Sequence, residues 1–359
     1  MDKTKFSNLF STIKQIISKY REDLKKIDSF KKLKNFLNKT KKSFNLKRIK
    51  HFFKNIGKKI SSYWKRVLSF ICCFGIFYYG IGGLLVEDTN TSDTYFLAKE
   101  QNSQLESVNT MAFLINREID KKMWTPNLPV VFPAYILDNM PNFQVGIITS
   151  VKDMSGVIKK FAHQTKEQQE NIKKAEELLR YPSHIWLMSK KGSFSLAPSA
   201  NAQYRKARSE LLHFNNQNIQ LTVSDFNIYL KQLARALRTQ IQKNDSQIIE
   251  HSSSFLDTKA DDLFYKTRGY AFGAWQIAAA MGFDCKQIII QNDVYTEWTY
   301  LLSFLKKTAE FKPCFIRNGQ LDSIFAANHL AVQNYYLERA LTAILQIQNK
   351  LQDNHAYKN

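Results

Sequence analysis

Twenty residues from Val67 to Val86, VLSFICCFGIFYYGIGGLLV, contain no charged side chain. At about 1.5 Å per residue, a helix of that length matches the ~30 Å hydrocarbon core of a bilayer. The stretch divides the 359-residue chain into a short basic part and a long part of mixed charge. Residues 1–66 carry 21 Lys and Arg against four acids, a net +17, while everything that follows sums to +4. The overall charge of +21 therefore belongs to the amino-terminal segment and says little about the larger domain.

A basic region of 66 residues is far too long for the n-region of a signal peptide, and no small-residue cleavage site follows the apolar run. The run reads as a single transmembrane helix. Lys58, Lys59, Lys65 and Arg66 crowd its amino side, and Glu87, Asp88 and Asp93 follow its carboxyl side. That bias predicts a cytoplasmic amino terminus and an exported carboxyl-terminal domain. Gly75, Gly80, Gly82 and Gly83 do not form GxxxG, so dimerisation through the span has no support. Cys72 and Cys73 inside it act as small hydrophobes.

Four segments follow from this: a basic amphipathic segment 1–66, the span 67–86, a polar linker 87–103 and a helical domain 104–352. In the first, Phe6, Phe10, Ile13, Ile17, Tyr20, Leu24 and Ile27 recur at helical spacing. Phe44, Ile49, Phe53, Ile56, Ile60 and Trp64 form a second series. One apolar and one cationic face suit a helix lying on an anionic lipid surface. A solvated basic tail and a short coiled coil are the plainer alternatives. No helix-turn-helix, zinc finger or RNA-binding signature accompanies the charge, so nucleic acid is not an expected partner.

Beyond the linker the apolar spacing is helical almost throughout. Val108, Met111, Ile115 and Ile119 line a first helix, and Ile147, Val151, Met154, Ile158 and Phe161 a second. Ala175, Leu178 and Leu179 mark a third, and a fourth runs from near Ser199 to His213. Phe226, Leu230, Leu233, Leu237 and Ile241 form an amphipathic stripe on a fifth. Further helices are predicted near 255–283, 285–310 and 328–351, with a small hairpin over Ile185–Met188 and Ser193–Ala197. The fold class is all-α, a single transmembrane helix followed by a multi-helix bundle. Gly269 to Phe283 carries no charge for fifteen residues, which is short for a second crossing and better suits a core helix packed through small residues.

Candidate chemistry is sparse. Trp124 to Pro141 holds four of the seven prolines and predicts an irregular loop between the first two helices. Its Trp124, Phe132, Tyr135 and Leu137 would either close one end of the bundle or line a groove for a peptide, lipid or glycan. Asp257, Asp261 and Asp262 sit at i, i+4 and i+5, which suits a helical first turn or a divalent cation, without EF-hand spacing. Arg117, Glu118 and Asp120 predict an ion-pair network completed by Arg205 or Arg208. His163, His184, His213, His251 and His329 are scattered, and no HExxH, GxSxG, SxxK or Walker A motif occurs. Cys285 and Cys314 show no CxxC pattern, and spacing alone does not establish a disulfide between them.

Taken in order, FYYGIGG, LINREIDKKMWTPNLP, LDNMPNFQVGI, LLRYPSHIW, SANAQYRKAR, FLDTKADDLFYKTRGYAFG and NHLAVQNYYL resemble a family of bacterial inner-membrane proteins, domain of unknown function 2333. The resemblance covers roughly residues 76–350 and leaves the basic 1–65 segment outside. It implies one amino-terminal crossing and a helical domain, with no assigned activity and no catalytic residues to carry over. The expectation is a single-pass inner-membrane protein whose periplasmic domain binds or scaffolds an envelope protein. Trp124, Phe132, Tyr135, Asp138 and Asn139 are its candidate contacts. The alternative is a membrane-tethered periplasmic hydrolase using a carboxylate cluster drawn from Glu118, Asp257, Asp261 and Asp262. Neither a cofactor nor a metal-ligand set is expected.

Overall fold

The computed structural model describes Ser18 and residues 46–95, 105–186, 197–215, 219–251, 257–321 and 327–356. For residues 46–63, 355 and 356 only the backbone is described. The first apolar series of the basic segment and the turn of the expected hairpin lie outside these residues. The chain divides into two compact units, Met1–Ile76 and Phe77–Asn359. Among the described residues the structure is helical, without a named strand; a lone bridge joins Asn318 and Asn328.

Helix α1 runs Leu46–Val86, 41 residues without a break. From Ile49 onward the second apolar series and the uncharged stretch, expected as separate segments, share one helix; Phe44 lies outside the described residues. Trp64–Val86 is long and apolar enough to cross a membrane, and only 6% of its most apolar window is buried. Phe70, Phe74, Ile76, Leu84 and Leu85 are all more than half exposed. No other described helix meets the same test of length and hydropathy.

The larger unit is built around α7, Thr258–Asp284, which packs mainly against α3 (Asn139–Ile158), α9 (Tyr295–Glu310) and α2 (Glu106–Asn116). Thr267 through Ala274 are buried without interruption, so this helix is enclosed on every side. The uncharged 269–283 run is a core helix, and small residues are what admit it. A Cβ at Gly269 would overlap the Phe143 carbonyl, and one at Gly146 would overlap the Lys266 carbonyl. The two backbones therefore cross at a distance that only glycine permits.

Around this crossing, α4 (Lys166–Leu179) pairs with α5 (Ala200–Phe214), and α6 (Val223–His251) pairs with α10 (His329–Ala356). Local sequence sets the starts. Thr165 and Gln168 form a capping box on α4, Ser199 caps α5, Asp138 caps α3 and Asp257 caps α7. The helix expected over 285–310 is broken into α8, Lys286–Gln291, and α9. The break lies at Asp293, whose φ of 51° is left-handed, a conformation that Asp tolerates better than most residues. Cys285 is buried and Cys314 exposed, both as free thiols.

Candidate functional site

A hydrogen-bonded and ion-paired surface of the domain lies where α1 ends. Residues 87–95, expected to be a linker, are a strap fastened along the domain. Asn139 Nδ2 donates to Glu87 Oε1 at 3.3 Å, and Lys122 Nζ lies 2.8 Å from Asp88 Oδ2. Arg117 Nη2 donates to the Asn90 carbonyl, while its Nε lies 3.5 Å from Asp93 Oδ2. Farther on, the Tyr95 amide donates to Gln276 Oε1 at 3.0 Å and its hydroxyl to Glu106 Oε2 at 2.9 Å. The partners come from α2 and the turn that continues it, from α3 and from α7, so the strap leaves little slack between the end of α1 and the bundle.

Arg117 is the centre of this arrangement. It opens a single π-helical turn, Arg117–Lys121, that continues α2. Its side chain has no exposed surface, pairs with Glu118 and stacks over the Phe272 ring at 4.7 Å. Burial drives the Glu118 carboxyl upward against the pull of Arg117. A charge pair this deep costs desolvation that added partners offset, and the strap supplies two, the Asn90 carbonyl and the Asp93 carboxylate.

The aromatic loop divides into an inner and an outer half. Trp124 is 1% exposed, donates from Nε1 to the Ser183 carbonyl at 3.1 Å and meets Tyr204 edge-on. It has almost no surface to offer a ligand. Phe132 is half-buried, and Tyr135 and Asp138 are exposed. The 3₁₀ turn Pro133–Ile136 places this outer half against the last turns of α1. Tyr78 Oη donates to the Val131 carbonyl at 2.8 Å, and Tyr79 Oη to that of Val130 at 2.5 Å. A Cβ at Gly82 would come within 2.7 Å of Pro133 Cβ. Gly82 thus makes room for the proline turn.

The two sets of acidic candidates meet here in part. Asp261 and Asp262, on the first turns of α7, face Asp138 and Glu87. Asn142 bridges them, donating to Asp262 Oδ1 at 2.7 Å and to the Asp138 carbonyl at 2.9 Å. Burial, followed by the charges of Asp138, Asp262 and Glu87, pushes the Asp261 carboxyl up to about 6. Asp257 is separate. Burial raises its carboxyl, but hydrogen bonds from Gln247, Asn318 and the Ala260 amide outweigh this and hold it below the usual range. Glu118 is paired with Arg117, away from both.

Three surface clefts, of about 190, 430 and 530 Å³, are described, and none is lined by Glu118, Asp257, Asp261 or Asp262. Among the described residues no group of three His, Cys, Asp or Glu is placed to hold a metal ion. The ion-pair network expected on the first helix is present: Asp120 lies 2.6 Å from Arg205 and 3.4 Å from Arg208. The strap escaped sequence reading, as did Asp284, which caps α2 by accepting from the Glu106 and Ser107 amides at 2.8 and 2.9 Å. Burial pushes that carboxyl to about 6 in spite of both donors.

Among the described residues this is an all-α protein with one helix long and apolar enough to cross a membrane. The chain belongs to the family DUF2333, described as an uncharacterized protein conserved in bacteria, whose model matches residues 127–236 and 219–354. FYYGIGG and LINREIDKKMW, which contribute to the resemblance, lie before the matched region. No curated protein and no solved structure matches the chain.

Proposed function

We propose that this is a single-pass protein of the bacterial inner membrane, with a cytoplasmic amino terminus and a periplasmic helical domain that acts as a binding or scaffolding component of the cell envelope. The strap carries this reading. A domain on a loose tether samples many orientations, whereas one fastened at Glu87, Asp88, Asn90, Asp93 and Tyr95 presents a fixed face. Fixed presentation lowers the ordering cost of binding a partner in the same membrane. The sidedness rests on the cations before Val67 and the acids after Val86. The basic 1–65 segment would add attraction to the anionic inner leaflet.

Phe132, Tyr135, Asp138 and Asn139 remain the proposed contacts for an envelope protein partner, and Trp124 would support them from the core. The hydrolase reading gains no better footing. Its carboxylates are divided among a buried ion pair, a helix cap and the cluster at Asp261. A reporter fused after Asn359 tests the reading together with alkaline extraction of membranes. Activity restricted to the periplasm and retention in the alkali-washed pellet are expected. Cytosolic activity, or release by alkali, would overturn it.

A further inference from the structure

The outer half of the aromatic loop has an unusual composition for an exposed segment. Leu128 to Leu137, LPVVFPAYIL, contains no charged residue and, apart from the Tyr135 hydroxyl, no polar side chain. Val130 and Val131 are 57% and 65% exposed, and Tyr135 and Ile136 are 46% and 55% exposed. Contiguous exposed apolar side chains of this kind mark an interaction surface.

Its position says what covers it. Tyr78, which holds the Val131 carbonyl, lies eight residues before the end of α1, or about 12 Å back along the helix at 1.5 Å per residue. The loop therefore does not stop where the apolar helix ends. It folds back beside the last two turns, at the depth of Tyr78 to Gly83. If α1 crosses a bilayer, the apolar tips lie at the same level as lipid-facing Leu84 and Leu85, or deeper.

Several of the loop's backbone polar groups are also satisfied within the protein. Irregular chain at membrane depth must satisfy its polar groups internally. Pro129 and Pro133 have no N–H to satisfy. The Phe132 amide donates to the Pro129 carbonyl at 3.0 Å, Tyr135 to Phe132 at 3.0 Å and Leu137 to Ala134 at 3.2 Å. The carbonyls of Val130 and Val131 accept from the two tyrosine hydroxyls of α1. In water those carbonyls would need no such partners.

We propose that residues 128–137 form a second membrane contact, a collar inserted into the leaflet through which α1 leaves, with Val130, Val131 and Ile136 among the acyl chains and Tyr135 at the headgroup boundary, where it stays open to the envelope partner beside Asp138 and Asn139. This rests on the membrane-spanning reading of α1.

Site-specific photocrosslinking in native membranes tests the collar. A diazirine amino acid is placed singly in the full-length protein at Val131, at Phe74 within the span, or at Ile290. Ile290 is as exposed as Val130 and lies beyond the far end of α7, since the strap ascends that helix from the level of Asp261 to that of Gln276. After irradiation, phospholipid adducts are read by mass. Adducts at Phe74 and Val131, with none at Ile290, are expected. Adducts at Phe74 but only protein or water products at Val131 would overturn the collar and leave the anchor standing. Absence of adducts at Phe74 would remove the anchor and the collar together. Ile136 is tested in parallel, so that a misfolded Val131 variant does not decide the result.

Discussion

The α3–α7 crossing and the loop at the end of α1 use backbone constraint in opposite ways. At the crossing, Gly146 and Gly269 remove side chains so that two helices touch backbone to backbone, and Phe143, Ile147, Tyr270 and Phe272 nearby are buried. In the loop, Pro129 and Pro133 remove N–H donors and stiffen the chain, leaving Val130, Val131 and Ile136 outward. One region is closed by its own packing. The other is complete only when something apolar lies over it. The lesson is that apolar content alone does not distinguish core from contact surface; the partners of the backbone groups do.

The largest effect is expected between the two regions, at Arg117. Arg117→Ala leaves Glu118 buried without its partner and frees Asn90 and Asp93, a loss of about 3–5 kcal/mol in thermal or chemical unfolding. The double change Arg117→Met with Glu118→Gln should recover much of it, and full loss in the double variant would show that charge pairing is not the cause. Next, Gly269→Ala should cost about 1–3 kcal/mol, because backbone rather than a flexible side chain occupies the space. An unchanged melting temperature would show that the crossing is looser than described.

A smaller effect concerns the acids around Asp261. Burial and the neighbouring acids push its carboxyl up to about 6 in the folded protein from the ordinary 3.8 of the unfolded chain, so the folded state binds the proton more tightly. Stability contributed by this group is present at low pH and is lost as pH rises from about 4 through 6. Because the side chain is only half-buried, solvent screening reduces the expected difference to about 1 kcal/mol. Asp261→Asn should be more stable than the parent at pH 7.5 and should flatten this part of the pH profile in calorimetry. Asp284, with the same direction of shift, remains in both proteins and cancels in the comparison.

The smallest change in folding stability is expected at the collar. Val131→Asp in detergent should lie within about 0.5 kcal/mol of the parent, since the side chain is outside the packed bundle. A loss comparable to that of Gly269→Ala would make the loop part of the core and end the contrast drawn above.

Much of the architecture was legible because it is local. Apolar stripes such as Phe226 to Ile241 and the cap at Ser199 located helices, and the uncharged 269–283 run announced an enclosed one. The span announced itself by length. The strap was not legible, because its composition is polar and its partners are distant: Tyr95 reaches Gln276 across 181 positions, and Asn90 reaches Arg117 across 27. The meeting of Asp138 with Asp261 was hidden for the same reason, as two helix starts are brought together only by the packing of α3 on α7. Pro141 also misled the boundary of the loop. It lies in the first turn of α3, where a missing N–H is tolerated, so Asn139 to Pro141 belong to the helix.

Residues 87–95 fasten the domain to the end of the apolar helix. Pulsed electron-spin distance measurement between labels at Leu85 and Ile290, in lipid nanodiscs, tests it most directly. Both sites are exposed, and Cys72, Cys73 and Cys314 would first be replaced, leaving buried Cys285 in place. A single narrow distance distribution that broadens on Arg117→Ala is the predicted result. A broad distribution in the parent protein, unchanged by that substitution, would contradict the claim.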